Sequence, residues 1–138
     1  MSTAQDFPRS VIVTGGASGI GLAMARHFAG LPNHLVAILD VNEEAGRKVA
    51  ADLGREFPQT RLSFKKCNIA SWDEQAAVFE QVYREHGNRV DVVMANAGIN
   101  EGGPVTVVDL DEEKPSRPEL KTLDINLSGT IYSKYKTD

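Results

Sequence analysis

A glycine-rich turn near the amino terminus constrains the fold more than any other feature of the sequence. The apolar run SVIVT, residues 10–14, leads into TGGASGIG, residues 14–21, and the helical pattern LAMARHFAG follows without a break. Short β-branched runs are typical of buried strands, and apolar residues three and four positions apart are typical of helices. A strand that turns within a few residues into a helix begins a βαβ unit, so the turn predicts an α/β fold.

The same alternation of strand and helix continues along the chain. Strands are predicted at residues 10–14, 35–39, 61–67 and 90–95. Successive parallel strands joined by right-handed crossovers lie in the order 3-2-1-4, which is that of a Rossmann-like doubly wound parallel sheet. A chain of 138 residues is within the size range of one domain, so we expect a single domain over residues 1–138.

Signals at the helix ends agree with this interpretation. The second helix is expected to begin after Asn42 and to end before Pro58. Ser71 with Glu74 predicts a capping box at the start of the third helix. A fourth helix is predicted from near Pro118. The apolar residues expected on one face of that helix are Leu123, Leu127 and Ile131.

Composition and charge argue against several classes of function. A net charge of -4 gives no basic surface for nucleic acid or an anionic membrane, and no apolar stretch is long enough to span a bilayer. We therefore expect a cytoplasmic protein, with Cys67 as a packed thiol. No metal site is predicted, because the histidines lack metal-ligand spacing and are expected in surface or cap positions. These histidines are His27, His34 and His86.

The glycines of the turn have distinct chemical uses. Gly15 can adopt a backbone conformation that other residues resist, and Gly19 leaves room for a pyrophosphate to approach. Gly21 lets the helix lie close to the strand. The free N–H groups and the partial positive charge at the helix start would then face the phosphates. The turn therefore predicts a dinucleotide site.

Asp40 closes the second strand and predicts which dinucleotide is preferred. A carboxylate at this position can accept hydrogen bonds from both hydroxyls of an adenosine ribose, and it repels a 2′-phosphate. No Arg or Lys stands at Gly16, Ala17 or Val41 to hold such a phosphate. NAD is therefore favoured over NADP. The alternative interpretation is that Asp40 only opens the turn before VNEEAG.

These features resemble those of the short-chain dehydrogenases/reductases. TGGASGIG is similar to the T-G-x-x-x-G-x-G cofactor motif of that family, MANAGIN to its N-N-A-G motif with Ala95 in place of the first Asn, and LDINLSGT to its Asn-bearing helix. CNIA resembles the adenine-contacting region, with Asn68 in place of Asp. The finer resemblance is to the NAD-dependent 15-hydroxyprostaglandin dehydrogenases.

The resemblance implies a set of site residues. Asn126 corresponds to the catalytic Asn of the family. The cofactor-binding residues that it implies are Thr14, Gly15, Ser18, Gly19, Ile20, Gly21, Asp40, Val41, Asn68, Ile69, Asn96, Ala97 and Gly98. The implied partners are NAD(H) and an unidentified small-molecule substrate.

The same resemblance implies that the chain is a truncated member of the family. Family members continue through a catalytic Ser and a Tyr-x-x-x-Lys helix, whereas this chain ends at Asp138. Tyr132 and Lys136 also have the Tyr-x-x-x-Lys spacing. However, Tyr132 points about 240° around its helix from Asn126, so we expect a solvated helix tail there. Without the Tyr and Lys of the family, hydride transfer by this chain should fail.

Three hypotheses of function follow from these observations. The chain is a dehydrogenase by descent whose complete form oxidises a secondary alcohol or reduces a ketone, a cofactor-binding pseudoenzyme, or a catalyst that reuses the pocket without redox chemistry. In each case the fourth strand, rich in Val, is expected at an edge of the sheet. An exposed apolar edge favours association, so we expect a homodimer or higher oligomer through that edge or the last helix.

Overall fold

Four strands and four helices alternate along the part of the chain that the computed structural model describes, residues 8–99 and 120–134. The strands are β1 (Ser10–Thr14), β2 (Leu35–Asp40), β3 (Arg61–Lys66) and β4 (Val92–Met94). The first three helices are α1 (Gly19–Ala29), α2 (Glu43–Glu56) and α3 (Trp72–Glu85). The last helix, α4, has a first turn at Lys121–Leu123, a wider π-helical segment at Asp124–Gly129, and a final α-helical part at Thr130–Lys134.

The strands form one parallel sheet in the order β3-β2-β1-β4. The predicted α/β fold and strand order are therefore confirmed. Ser10 lies opposite Leu35 in β2, and Val11 lies opposite Val92 in β4. β1 is thus an inner strand and β4 an edge strand among the described residues, as expected.

β4 is shorter than the predicted strand at residues 90–95. The carboxylate of Asp91 accepts a hydrogen bond from Ser10 N at 2.7 Å, and Asp91 N donates to Ser10 O at 2.9 Å. At the other end, Asn96 N donates to Met94 O, so the chain turns directly after Met94. These local bonds limit regular pairing to three residues.

Both faces of the sheet are covered by helices. Alternate residues of β1 point to opposite faces, as the pleat requires, and all of them are buried. Val11 and Val13 belong to a core with residues of α1 and α2, whereas Ile12 belongs to a core with Phe79 and Val82 of α3. Burying one such side chain contributes about 1.5–3 kcal/mol, so β1 anchors both layers.

Helix α3 begins with a cap that differs from the predicted one. Ser71 Oγ accepts a hydrogen bond from Glu74 N, as a capping box requires. The Glu74 carboxylate does not return this bond to Ser71 N, because Ser71 N donates to Asn68 O. Glu74 Oε1 accepts instead from Asn68 N at 2.9 Å. The capping box is therefore only half formed, and Glu74 secures the turn before the helix.

The start of α4 near Pro118 lies outside the described residues. Within them, no helix combines the length and apolar character needed to cross a membrane.

Candidate functional site

A cavity of about 590 Å³ opens at the carboxyl edge of the sheet, where β1 and β4 lie side by side. The chain leaves these two strands toward helices on opposite faces of the sheet, and α/β proteins bind ligands at such a switch point. The residues that line it are Gly15, Ser18, Gly19, Ile20, Asp40, Val41, Cys67, Ile69, Asn96, Ala97, Gly98, Ile99 and Ile125. Ten of these residues belong to the predicted cofactor set.

The first wall of the cavity is the glycine-rich turn, residues 14–21. Gly15 has a φ of +66° and donates its N–H to Leu39 O at 2.8 Å, which binds the turn to the end of β2. A Cβ at Gly21 would lie 2.0 Å from the carbonyl oxygen of Gly15, so only glycine permits this approach of α1. The turn therefore requires glycine at both positions.

The amino terminus of α1 faces the cavity. Ser18 is the N-cap residue, and its side chain makes no capping hydrogen bond. The first N–H groups of a helix have no partner within the helix, and they carry a partial positive charge. Ser18, Gly19 and Ile20 all line the cavity, so this helix start can receive an anionic group such as a pyrophosphate.

Asp40 stands at the end of β2 on the cavity wall. Its Oδ2 accepts a hydrogen bond from Ala17 N and its Oδ1 accepts one from Asn42 N, each at 3.0 Å. The bond to Asn42 N matches the alternative interpretation, in which the carboxylate opens the turn before α2. A carboxylate has about four acceptor sites, so these two bonds leave capacity for ligand hydroxyls.

The second wall of the cavity is the segment that follows β4, residues 96–99. Thr14 Oγ1 accepts hydrogen bonds from Asn96 N and Ala97 N, each at 3.1 Å, and donates to Met94 O. The Asn96 side-chain amide donates to Thr14 O at 3.1 Å. Thr14 is buried and does not line the cavity. Its hydroxyl joins the two walls instead.

Asn126 binds the far end of the second wall. Its Oδ1 accepts from Ile99 N and its Nδ2 donates to Ile99 O, each at 2.8 Å. The oxygen and the nitrogen of the carboxamide therefore both bond to the backbone of Ile99. Asn126 lies in the π-helical segment of α4, directly after Ile125, which lines the cavity.

Two predicted cofactor residues besides Thr14 do not line the cavity. Gly21 lies beneath the turn, where its role is the close approach described above. Asn68 is exposed, and its Oδ1 accepts a hydrogen bond from Ala70 N at 3.1 Å. Contact between Asn68 and an adenine therefore stays a prediction.

Three residues of the cavity wall were not predicted: Cys67, Ile99 and Ile125. Burial, together with the charge of Glu74, raises the pKa of the Cys67 thiol to about 12. The packed thiol expected from the sequence is thus confirmed. Position after a strand could have indicated Cys67 and Ile99, since both follow the carboxyl ends of parallel strands. For Ile125, the sequence holds no signal of a place in the cavity wall except its position next to Asn126.

Tyr132 lies away from the cavity. Its ring packs edge to face against Trp72 of α3, with 5.4 Å between the ring centroids. Tyr132 therefore does not join Asn126 at one site, as predicted, and Lys136 lies outside the described residues. The expected solvated tail is wrong at this point, because Tyr132 is half-buried and Ser133 is buried.

Two histidines are also more buried than expected. His86 is the C-cap residue of α3, which confirms a cap position for it, but its side chain is buried, and so is that of His34. The ring Nδ1 of His86 lies 2.6 Å from Ser10 Oγ at the amino edge of the sheet. Burial, followed by the nearby Arg61 charge, lowers the pKa of His86. Among the described residues, no group of three His, Cys, Asp or Glu side chains could hold a metal ion.

Comparison with known proteins places this architecture in a family. The sequence model of short chain dehydrogenases matches residues 9–135. The chain is 41% identical over 100 residues to the (+)-cis,cis-nepetalactol synthase NEPS3 of Nepeta racemosa, covering 72% of this chain and 35% of that protein. It is 35% identical over 137 residues to the 5'-hydroxyaverantin dehydrogenase of Dothistroma septosporum, covering 92% of this chain and 44% of that protein.

Solved structures agree with the sequence comparisons. NAD+-bound xylitol dehydrogenase is similar with a TM-score of 0.75 and 27% identity, over 91% of this chain and 45% of that one. The NADPH-dependent 3-quinuclidinone reductase of Rhodotorula rubra gives a TM-score of 0.77 and 25% identity, over 96% and 48%. The chain thus spans less than half the length of these relatives. It belongs to the short-chain dehydrogenase family.

Proposed function

We propose that this chain forms the NAD(H)-binding part of an oxidoreductase that interconverts a secondary alcohol and a ketone. The observation that carries the proposal is the cavity at the carboxyl edge of the sheet, with a helix amino terminus on one wall and Asp40 beside it. A dinucleotide matches this arrangement, because its anionic pyrophosphate and its ribose hydroxyls need those two kinds of partner.

Each part of the cavity wall suits one part of the dinucleotide. The N–H groups at Ser18–Ile20 would receive the pyrophosphate, and Asp40 would accept hydrogen bonds from the adenosine ribose. Ile20 and Val41 line the cavity with 71% and 61% of their surfaces exposed, as expected for apolar side chains that a planar ring would cover. Asn96–Gly98 and the apolar Ile99 and Ile125 would flank the nicotinamide half.

The proposed preference for NAD over NADP depends on charge. A 2′-phosphate would meet the Asp40 carboxylate, which Ala17 N and Asn42 N hold in place. The neighbouring cations are engaged elsewhere: Arg47 pairs with Glu43 at 2.7 Å, and Lys66 approaches the same carboxylate at 3.9 Å. These contacts direct neither Arg47 nor Lys66 toward the position that the 2′-phosphate would occupy.

Titration with NADH and NADPH tests the preference. The unmodified chain should bind NADH at least about tenfold more tightly, because one uncompensated charge contact is worth about 1.4 kcal/mol or more. Asp40→Asn keeps the shape but removes the charge, so it should narrow this gap. Glu44→Gln, an exposed change at the start of α2, is the matched control and should leave it unchanged. Tighter binding of NADPH by the unmodified chain would contradict the proposal.

The bound nicotinamide would supply hydride chemistry to the complete enzyme. Within this chain, the wall residues would bind and orient the dinucleotide, and Asn126 would hold the Ile99 backbone beside its nicotinamide half. The resemblance to the family assigns proton transfer to a Ser and a Tyr-x-x-x-Lys helix outside these 138 residues. We therefore propose that this chain alone binds NAD without oxidising alcohols. The substrate preference of the 15-hydroxyprostaglandin type stays a prediction.

Two other functions stay predictions and can be discriminated. A cofactor-binding pseudoenzyme would bind NADH yet remain inactive when joined to the catalytic segment of a relative. A catalyst without redox chemistry would convert substrate with no nicotinamide present. One relative is named a nepetalactol synthase, and this name motivates an assay for substrate conversion without nicotinamide. A cytoplasmic location is proposed from the acidic charge and the single cysteine.

We also propose that the chain self-associates through α4. Four large apolar side chains on one side of α4 are each more than half exposed, and we call them the apolar stripe: Leu120, Leu123, Leu127 and Ile131. A contiguous exposed stripe of this kind is typical of an association surface. The β4 edge offers a second route, by strand pairing.

Light scattering at micromolar concentration tests this assembly. Leu127→Glu should convert a dimer into a monomer, because it places charge in the centre of the apolar stripe. Tyr83→Glu, on the exposed side of α3, is the matched control and should leave the dimer intact. A monomeric unmodified chain would contradict the proposal.

A further inference from the structure

A buried carboxamide on α3 contacts α4 at residues that do not line the cavity. Gln75 is 1% exposed, and its Nε2 donates to Ser133 Oγ at 2.9 Å and to Gly129 O at 3.3 Å. Ser133 Oγ in turn donates to Gly129 O at 3.0 Å. Gln75 Oε1 is buried and has no hydrogen-bond partner among the described residues. A buried polar group with an unpaired atom calls for an explanation, and the two bonds that its amide nitrogen makes to α4 offer one.

The contacts of Gln75 lie at the end of the widened turn of α4. The π-helical segment ends at Gly129, and its carbonyl oxygen is the acceptor that Gln75 and Ser133 share. Within the same segment, Asn126 O accepts a hydrogen bond from Thr130 Oγ1 at 2.8 Å. A π-helical turn displaces the regular ladder of helix hydrogen bonds. Side chains here supply the donors for two of the carbonyl groups.

Directional bonds at this interface supplement the apolar packing of α4, in which Ile125 lies against the core that includes Phe79 and Val82 of α3. The residues of the apolar stripe are each more than half exposed, so they contribute little to the register of α4 against α3. On the inner side, the Gly129 backbone lies against Ile69, where a Cβ would approach the Ile69 side chain to 2.8 Å. Apolar contact is non-directional, whereas a buried amide is costly in any register that leaves it unpaired.

The register of α4 decides where two parts of the cavity wall lie. Asn126 is three residues before Gly129, and its carboxamide holds Ile99 N and Ile99 O. Ile125 lines the cavity from the same turn. A shift of α4 along α3 would therefore withdraw Asn126 from Ile99 and move Ile125 in the wall.

We propose that Gln75 is a positioning residue of the cavity: its bonds to Ser133 and Gly129 hold the widened turn of α4 at the register in which Asn126 holds Ile99. The expected effect on NADH binding rests on the proposed NAD(H)-binding function, since the second wall is the one assigned to the nicotinamide half. Its structural part is independent of any ligand. Gln75 acts through Asn126 and does not touch the dinucleotide.

Hydrogen exchange of the Ile99 amide tests the structural part in the full chain. Gln75→Leu keeps the side-chain size and removes both donors, so Ile99 exchange should accelerate about tenfold relative to the amides of β1, the factor expected when one hydrogen bond is lost. Gln81→Leu is the matched control, because Gln81 is an exposed carboxamide on the same helix, and its amide donates to Glu85 Oε1. Gln81→Leu should leave the ratio of Ile99 exchange to β1 amide exchange unchanged. Ser133→Ala removes one acceptor of the Gln75 amide and should give a smaller increase in Ile99 exchange. This variant tests the proposal if Gln75→Leu does not fold.

Equal acceleration of Ile99 and the β1 amides in both variants would overturn the proposal, because it would show a loss of overall stability alone. Unchanged Ile99 exchange would overturn it as well. Titration with AMP and NADH tests the consequence: Gln75→Leu should weaken NADH several-fold and leave AMP unchanged. If the unmodified chain binds neither nucleotide, the proposed function fails, while the exchange result still decides the role of Gln75.

Discussion

The two walls of the cavity are built in different ways. The glycine-rich turn is shaped by contacts within residues 14–40, with Gly15 bonded to the end of β2 and Gly21 packed beneath it, and the Asn96 amide adds one bond to Thr14 O. The segment after β4 depends on side chains that are distant in sequence, Thr14 on one side and Asn126 on the other. A wall that depends on local backbone conformation can be recognised from a sequence motif. A wall that depends on hydrogen bonds between residues distant in sequence cannot. The first should be rigid and the second adjustable.

The largest effect is expected at the first wall. Gly21→Ala places a Cβ 2.0 Å from the Gly15 carbonyl oxygen, so the turn or α1 must move. We expect a loss of about 3 kcal/mol in the free energy of unfolding, and no detectable binding of AMP or NADH. Gly54→Ala in α2 is the matched control, since its Cβ would meet no atom of the described residues within 4 Å. It should stabilise the chain by about 0.5–1 kcal/mol. Denaturant unfolding and nucleotide titration measure both, and wild-type stability in Gly21→Ala would break the comparison.

A smaller effect is expected where the walls join. Thr14→Val removes the hydroxyl that accepts from Asn96 N and Ala97 N while keeping the side-chain volume. Ala97 N would lose its acceptor while Asn96 N would keep Met94 O, and this loss should cost about 1–3 kcal/mol in the free energy of unfolding. Thr14→Ser retains the hydroxyl and should recover most of that loss. If Thr14→Ser is as unstable as Thr14→Val, the methyl group rather than the hydroxyl joins the walls.

The smallest effect is expected at the far end of the second wall. Asn126→Ala releases Ile99, but the bonds lost are exposed, so the free energy of unfolding should fall by only about 1 kcal/mol. NADH should bind several-fold more weakly, and AMP should bind as before. Calorimetric titration with the two nucleotides checks this result. An equal loss of both affinities would mean that the walls are not independent.

The sequence allowed the fold and the first wall to be predicted because their signals are local. Strand runs, helix ends and the glycine-rich turn each lie within about 20 residues, and they gave the correct strand order. The burial of His86 was missed because its partner, Ser10, lies 76 residues away. Gln75 and Ser133 were missed for the same reason, with 58 residues between them. The capping box was half wrong because Glu74 had a competing donor, Asn68 N.

Amide chemical shifts in a nucleotide titration test the central claim, that both walls form one dinucleotide site. With AMP, the amides of Gly15, Ser18 and Gly19 should shift, while those of Ala97, Gly98 and Ile99 should remain largely in place. With NADH, both groups should shift at the same midpoint concentration. Shifts confined to residues outside the cavity, or no shifts with either nucleotide, would contradict the account.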